Sequence, residues 1–249
     1  MKNILFIILL VLTAWIPASA QQGKKEKKTE QIKTEYRQEY QSALGFVQLN
    51  RKNLVDKITE YGADYHICAP VIFPELIRYS ILWDQIETST LKIFYVTFGE
   101  DYADFSIGRF QMKPSFIRHL EEHAYLIDDD ALRNKLLITD KPEEKAKRVE
   151  RIARLEDVRW QTFYLAMFYR IVNLKYSDTV SGMPLNEKIR FFATAYNYGF
   201  HFGADYLLKR INQKLFPDGK SKVKPQYCYG DLALYFYTDF WKEYVSENK

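Results

Sequence analysis

A glutamate set in an apolar run can keep its proton near neutral pH, because apolar surroundings disfavour the ionised carboxyl. Glu75 stands in such a run, Val71-Ile72-Phe73-Pro74-Glu75-Leu76-Ile77, and is a candidate general acid. Glu87 competes with it from further along the same stretch, and Asp101 and Asp104 follow as possible second carboxylates. Two later segments carry polar groups among apolar and turn-forming residues: Gly108-Arg109-Phe110-Gln111-Met112-Lys113-Pro114-Ser115 and Ala195-Tyr196-Asn197-Tyr198-Gly199. Gln111, Tyr196 and Asn197 offer an amide, a hydroxyl and an amide that could hold a substrate or orient an acid. Taken singly, each has a plainer explanation. Gln111 could cap its own loop, Tyr196 could be a core aromatic with a satisfied hydroxyl, and Glu75 could pair with a base such as Arg78. His119-Leu120-Glu121-Glu122-His123 matches a zinc-peptidase pattern. No third ligand is apparent, and a solvated helix face explains it as well, so neither metal nor cofactor is expected.

Helices must position these groups. Tyr36, Tyr40, Leu44, Val47 and Leu54 recur at helical spacing, Gly62 ends that stretch, and Asp64 is a start signal for the next. The apolar run from Ala69 reads as one helix, with Pro70 in its first turn and Pro74 as a kink. Leu91 to Phe110 is rich in β-branched and aromatic residues around Gly99-Glu100-Asp101, which suggests a short hairpin or irregular β-lobe. Further helices are expected from Pro114, from Asp140 to about Lys175, from Pro184 to Tyr198 with Gly199 as the stop, over Ala204–Leu215, and over Tyr229–Val245. Asp128-Asp129-Asp130 reads as a turn or a helix start, not a calcium loop. The fold class is mainly α with one small β element.

The N-terminus reads as an export signal: Lys2, an apolar run from Ile4 to Trp15, then Ala18-Ser19-Ala20 as a cleavage site. That run is short for a membrane span, and no later segment is long and apolar enough to make one. Residues 21–34 are charged and look like a solvated tether, 35–63 like a helical extension, and 64–249 like the main domain. A net charge of +4 is too small for a dedicated nucleic-acid binder but suits an anionic polymer. A monomer is expected. Export would allow a Cys68–Cys228 disulfide closing a loop of about 160 residues. Two separate buried thiols are the equal alternative.

The two polar segments together resemble the lytic transglycosylases of the lysozyme-like superfamily, with this chain as a divergent member. That family carries Gly-Leu-Met-Gln-x-x-Pro-[Ala/Ser]-Thr followed on a later helix by Ala-Ala-Tyr-Asn-x-Gly. Gly108, Gln111 and Pro114 keep the spacing of the first motif, and Ala195-Tyr196-Asn197-x-Gly199 keeps the second intact. Arg109-Phe110 replaces Leu-Met, and neither candidate glutamate is followed by the family's serine. The resemblance covers roughly residues 64–208. It implies a lysozyme-like α+β fold with a small β-hairpin lobe and a single acid upstream of Gly108. It implies substrate contacts from Gly108, Gln111, Tyr196 and Asn197, and peptidoglycan glycan strands as the partner, in the periplasm or cell envelope. The gap to Gly108 is 33 residues from Glu75 and 21 from Glu87. The family's usual shorter gap favours Glu87, whereas the apolar helix after Asp64 favours Glu75, which is taken as the acid. The implied reaction is cleavage of the MurNAc–GlcNAc bond to a 1,6-anhydro end. A hydrolytic muramidase and a glycan-binding module without catalysis are the alternatives.

Overall fold

The computed structural model describes residues 29–82, 88–217 and 226–247. The expected signal peptide, residues 21–28 of the expected tether, and Glu87 lie outside the described residues. The chain is mainly helical, with one small two-stranded antiparallel sheet. Its main helices are α1 (Arg37–Leu49), α2 (Tyr65–Leu82), α3 (Thr88–Phe98), α4 (Pro114–Glu122), α5 (Asp130–Leu136), α6 (Glu144–Glu156), α7 (Val158–Lys175), α8 (Leu185–Tyr198) and α9 (Tyr229–Phe236). Strands β1 (Lys214–Phe216) and β2 (Tyr227–Cys228) pair with Lys214 opposite Cys228 and Phe216 opposite Tyr227.

Helix α2 is the axis of the molecule. Every residue from Ile67 through Ile77 is buried, the signature of a helix surrounded on all sides. Helices α1, α8 and α9 pack around it. Phe73 shows how tightly: it meets Tyr40 edge-on at 5.2 Å and stacks on Phe236 at 3.9 Å. The helix begins at Tyr65, with the Asp64 carboxylate accepting from the His66 amide at 2.8 Å. Pro70 therefore sits inside the helix, not in its first turn, and Pro74 sits there too. Each proline removes an intrahelical hydrogen bond at a cost of roughly 3 kcal/mol. Burial of the whole circumference offsets that cost, at about 1.5–3 kcal/mol per large apolar side chain.

The stretch expected to be β begins as a helix and continues as turns, with no strand. Thr88–Phe98 forms α3, and Gly99, at φ +94°, ends it. Only one isolated bridge, Ile107 to Met112, follows before α4. Packing against α6 overrides the local preference for strand. Tyr95 faces inward at 2 % exposure, while Ile93, Phe94 and Phe98 point to solvent. The small sheet lies instead near the C-terminus, where a helix over Ala204–Leu215 is expected but stops at Leu208. The expected helix to Lys175 is also two helices. Asp157 breaks it and caps α7 by accepting from the Arg159 amide at 2.8 Å.

The end of the expected tether is packed: Thr29 and Ile32 are buried, and Ile32, Tyr36 and Tyr40 share one core with α2. Cys68 and Cys228 are both free, buried thiols, and the Cys228 thiol donates to the Ile211 carbonyl at 3.0 Å. No described helix is long and apolar enough to cross a membrane.

Candidate active site

Glu75 projects from the middle of α2 and is 3 % exposed. One turn on, Arg78 meets it, Nη1 to Oε1 at 2.5 Å. Arg78 also donates from Nε to the Pro217 carbonyl at 3.0 Å and from Nη2 to Asn197 Oδ1 at 3.4 Å. Its guanidinium lies over Phe216 and Tyr229, 5.1 and 5.7 Å from the ring centroids. Arg78 thus joins α2, α8 and the end of β1 at the acid. The other carboxyl oxygen, Oε2, is buried and has no hydrogen-bond partner among the described residues.

Two opposing effects set the proton affinity of Glu75. Burial raises it, while Arg78 and Lys113 lower it; burial wins, and the carboxyl titrates above its ordinary value. Taking an isolated carboxylate out of water costs several kcal/mol, which one close cation only partly returns.

The segment after α3 is shaped by Gly108 at φ +69° and Gln111 at φ +51°, on either side of a turn closed by the Ile107–Met112 bridge. Gln161 of α7 clamps this turn. Its Oε1 accepts from the Phe110 amide at 2.8 Å and its Nε2 donates to the Leu155 carbonyl at 2.5 Å. A Cβ on Gly108 would fall 1.6 Å from Gln161 Nε2, so only glycine fits against the clamp. Gly108 is therefore a structural residue beneath the site and does not line it. On the opposite side, the Tyr196 hydroxyl donates to the Phe110 carbonyl at 2.7 Å. The hydroxyl thus holds the turn and does not hold the acid, while Tyr196 lines the space beside Glu75. Burial pushes that hydroxyl well above the usual tyrosine range, so it stays protonated. Gln111 donates from Nε2 to the Gly108 carbonyl at 2.9 Å, capping its own turn, while its Oε1 is buried and has no hydrogen-bond partner among the described residues.

These pieces enclose one pocket of about 90 Å³, lined among others by Glu75, Arg78, Gln111, Lys113, Tyr196 and Asn197. Residues 75, 111, 196 and 197, selected from separate parts of the sequence, thus meet in one place. The pocket is smaller than the roughly 300–1,000 Å³ of sites that enclose a whole ligand. It has room for a scissile oxygen and its neighbours, not for a chain of sugars. A recess of about 290 Å³ beside β2 is larger. Its one acid, Asp231, already pairs with Arg190 at 2.9 Å, so the chemistry favours the smaller pocket.

The other sequence candidates are occupied elsewhere. Asp104 caps α4, accepting from the Ser115 amide at 3.1 Å and hydroxyl at 2.8 Å. Asp101 is exposed. His119 stacks on His201 at 3.8 Å, and His123 Nε2 meets Lys175 Nζ at 2.9 Å. Among the described residues no group of three or more His, Cys, Asp or Glu could hold a metal.

Sequence reasoning missed Gln161, Tyr229 and Lys113, and saw Arg78 only as a possible ion-pair partner. Gln161 had a signal: an amide within Trp160-Gln161-Thr162-Phe163 falls on the apolar face of a helix and must have buried partners. Tyr229 had none, since only the fold returns α9 to Glu75. Neither a family model, nor a curated protein, nor a solved structure matches the chain. The family resemblance therefore rests on the two motifs and the pocket they form.

Proposed function

We propose that this chain is an exported cell-envelope enzyme of lysozyme-like kind, a lytic transglycosylase that cleaves the MurNAc–GlcNAc bond of peptidoglycan with Glu75 as its single acid and base. The observation that carries this reading is the convergence of Glu75, Gln111, Tyr196 and Asn197 on one pocket with one buried carboxyl of raised proton affinity. In the reaction, protonated Glu75 gives its proton to the glycosidic oxygen as the bond from the anomeric carbon breaks. The resulting carboxylate takes the proton of the muramic 6-hydroxyl as that oxygen bonds the anomeric carbon. Arg78 stabilises the carboxylate between the two steps. Gln111 lines the pocket, and its Oε1, which has no hydrogen-bond partner among the described residues, would accept an N–H or O–H of the sugar.

A hydrolase of the usual kind needs a second carboxylate. Among the described residues lining the pocket, Glu75 is the only acid, which favours the transglycosylase. The Glu75–Arg78 ion pair supports a second reading, in which the pair is a strut and the domain binds glycan without cutting it.

Mass spectrometry of fragments released from purified peptidoglycan by the wild type, Glu75→Gln and Glu87→Gln tests this. Anhydro-ended fragments, lost only in Glu75→Gln, are expected. Loss only in Glu87→Gln would transfer the acid to Glu87. Reducing ends would mean a muramidase, and no fragments from the wild type would leave the binding module.

A further inference from the structure

The pocket presents two cations to one acid. Arg78 is 19 % exposed there, and Lys113 lines the same space with half its side chain in solvent and only a 3.4 Å contact to Asp104. A guanidinium has five N–H donors. Among the described residues three are used, the last in a long 3.4 Å bond to Asn197. Arg78 therefore has donors left for a second carboxylate. The one acid already present is the group that must carry a proton to act.

We propose that the pocket takes the acidic end of a carboxylate-bearing sugar whose ring stays at its mouth, with the carboxylate on Arg78 beside Lys113, and that seating it makes Glu75 take up a proton from solvent. The class of ligand rests on the glycan reading above. Two effects drive the uptake in the same direction. Arg78, shared between two carboxylates, holds Glu75 less strongly, and the arriving negative charge disfavours a second one beside it. The groups facing Glu75 are Arg78 on its own helix, Lys113 ahead of α4, Tyr196 on α8 and Tyr229 on α9. Both tyrosines stay neutral, because burial pushes their hydroxyls well above the usual range. The two cations that oppose the change, Arg78 and Lys113, are the ones the arriving carboxylate engages. Protonation also supplies the unpartnered Oε2 with the hydrogen it would deliver, so ligand binding and arming of the acid become one event. The orphaned Gln111 Oε1 adds an acceptor for a sugar amide or hydroxyl, which a bare carboxylic acid cannot satisfy in the same pose.

Isothermal titration of the whole protein at pH 6 and pH 8, each in two buffers of different ionisation enthalpy, counts the protons exchanged. The probes are N-acetylmuramic acid, N-acetylglucosamine as the same sugar without the acid, and N-acetylalanine as an acid without the sugar. N-acetylmuramic acid should bind roughly ten-fold or more tighter than either, the worth of one charge-assisted hydrogen bond, with proton uptake at one pH or both. Glu75→Gln should bind it without uptake, and Lys113→Gln should weaken it roughly two- to five-fold. Equal binding of the three probes, no binding, no uptake at either pH, or uptake unchanged in Glu75→Gln would each overturn the proposal. No bond is cleaved in this assay. A protein that takes up the proton but releases nothing from the wall keeps this inference and loses the lytic one; cleavage without uptake does the reverse.

Discussion

Substituting Gly108 by alanine should destabilise the protein through Gln161, and the size of the effect can be worked out from the clamp. The new Cβ would lie 1.6 Å from Gln161 Nε2 and 2.6 Å from the Leu155 carbonyl oxygen, so the amide must leave. Its departure strands the Phe110 N–H and the Leu155 carbonyl, which now bond it at 2.8 and 2.5 Å in a side chain 1 % exposed. Each buried group left unpaired costs about 1–3 kcal/mol. A non-glycine residue at φ +69° adds about 1–2 kcal/mol. The sum, roughly 3–8 kcal/mol, is comparable to the whole stability of a domain, about 5–15 kcal/mol. Gln161→Ala breaks the same two bonds without the backbone strain and should cost about 2–6 kcal/mol. The decisive species is the double variant. With the amide gone, the alanine at 108 meets only the Leu155 carbonyl and its own strain, so the two losses should be strongly sub-additive. Urea unfolding followed by circular dichroism measures all four proteins. Losses that add within about 0.5 kcal/mol would refute the clamp.

Two pH predictions have opposite signs. The folded carboxyl of Glu75 titrates above its ordinary value of 4.5, so the native state binds more protons than the unfolded state above that pH, and stability falls as pH rises through the window. The urea midpoint of Glu75→Gln should therefore improve relative to wild type from about pH 4.5 upward; a relative decline would mean that Arg78, not burial, sets the carboxyl. His119 is lowered from 6.5 to about 4 by burial first, then by His201 and Arg118. Its stabilising contribution is complete above pH 6.5 and is lost as pH falls toward 4. His119→Phe should keep the stack on His201 and remove that acid-side slope; wild-type and variant curves that fall in parallel would rule His119 out as its source.

The candidate site was legible in the sequence where function demanded a residue type against its surroundings. A glutamate among apolar neighbours, two glycines with positive φ and polar residues beside them all contradict simple core patterning, and such contradictions tend to mark sites. Helix starts at Asp64, Asp129 and Asp157 obey local capping chemistry; Asp157 was still overlooked, because the apolar periodicity runs through it. The α3 stretch failed for a different reason. Strand-like residues such as Ile93, Phe94 and Phe98 face solvent, so their identity carries no information about the packing that makes the segment helical.

What no local pattern contains is the set of partners assembled around Glu75. A carboxyl buried with no cation nearby would give up its charge altogether, and one buried against a fully engaged arginine would never accept a proton. Arg78 avoids both extremes because its other donors reach outside α2. Pro217 fixes Nε, Asn197 holds Nη2 only at 3.4 Å, and the Phe216 and Tyr229 rings lie against the guanidinium. These groups come from residues 197 to 229 and reach Arg78 only when α8 and α9 close on α2. The same contacts therefore complete the core and balance the acid. A variant that loosens α9 should disturb the titration of Glu75 before it unfolds the chain, because Tyr229 donates to the Val71 carbonyl at 3.0 Å directly beside the carboxyl.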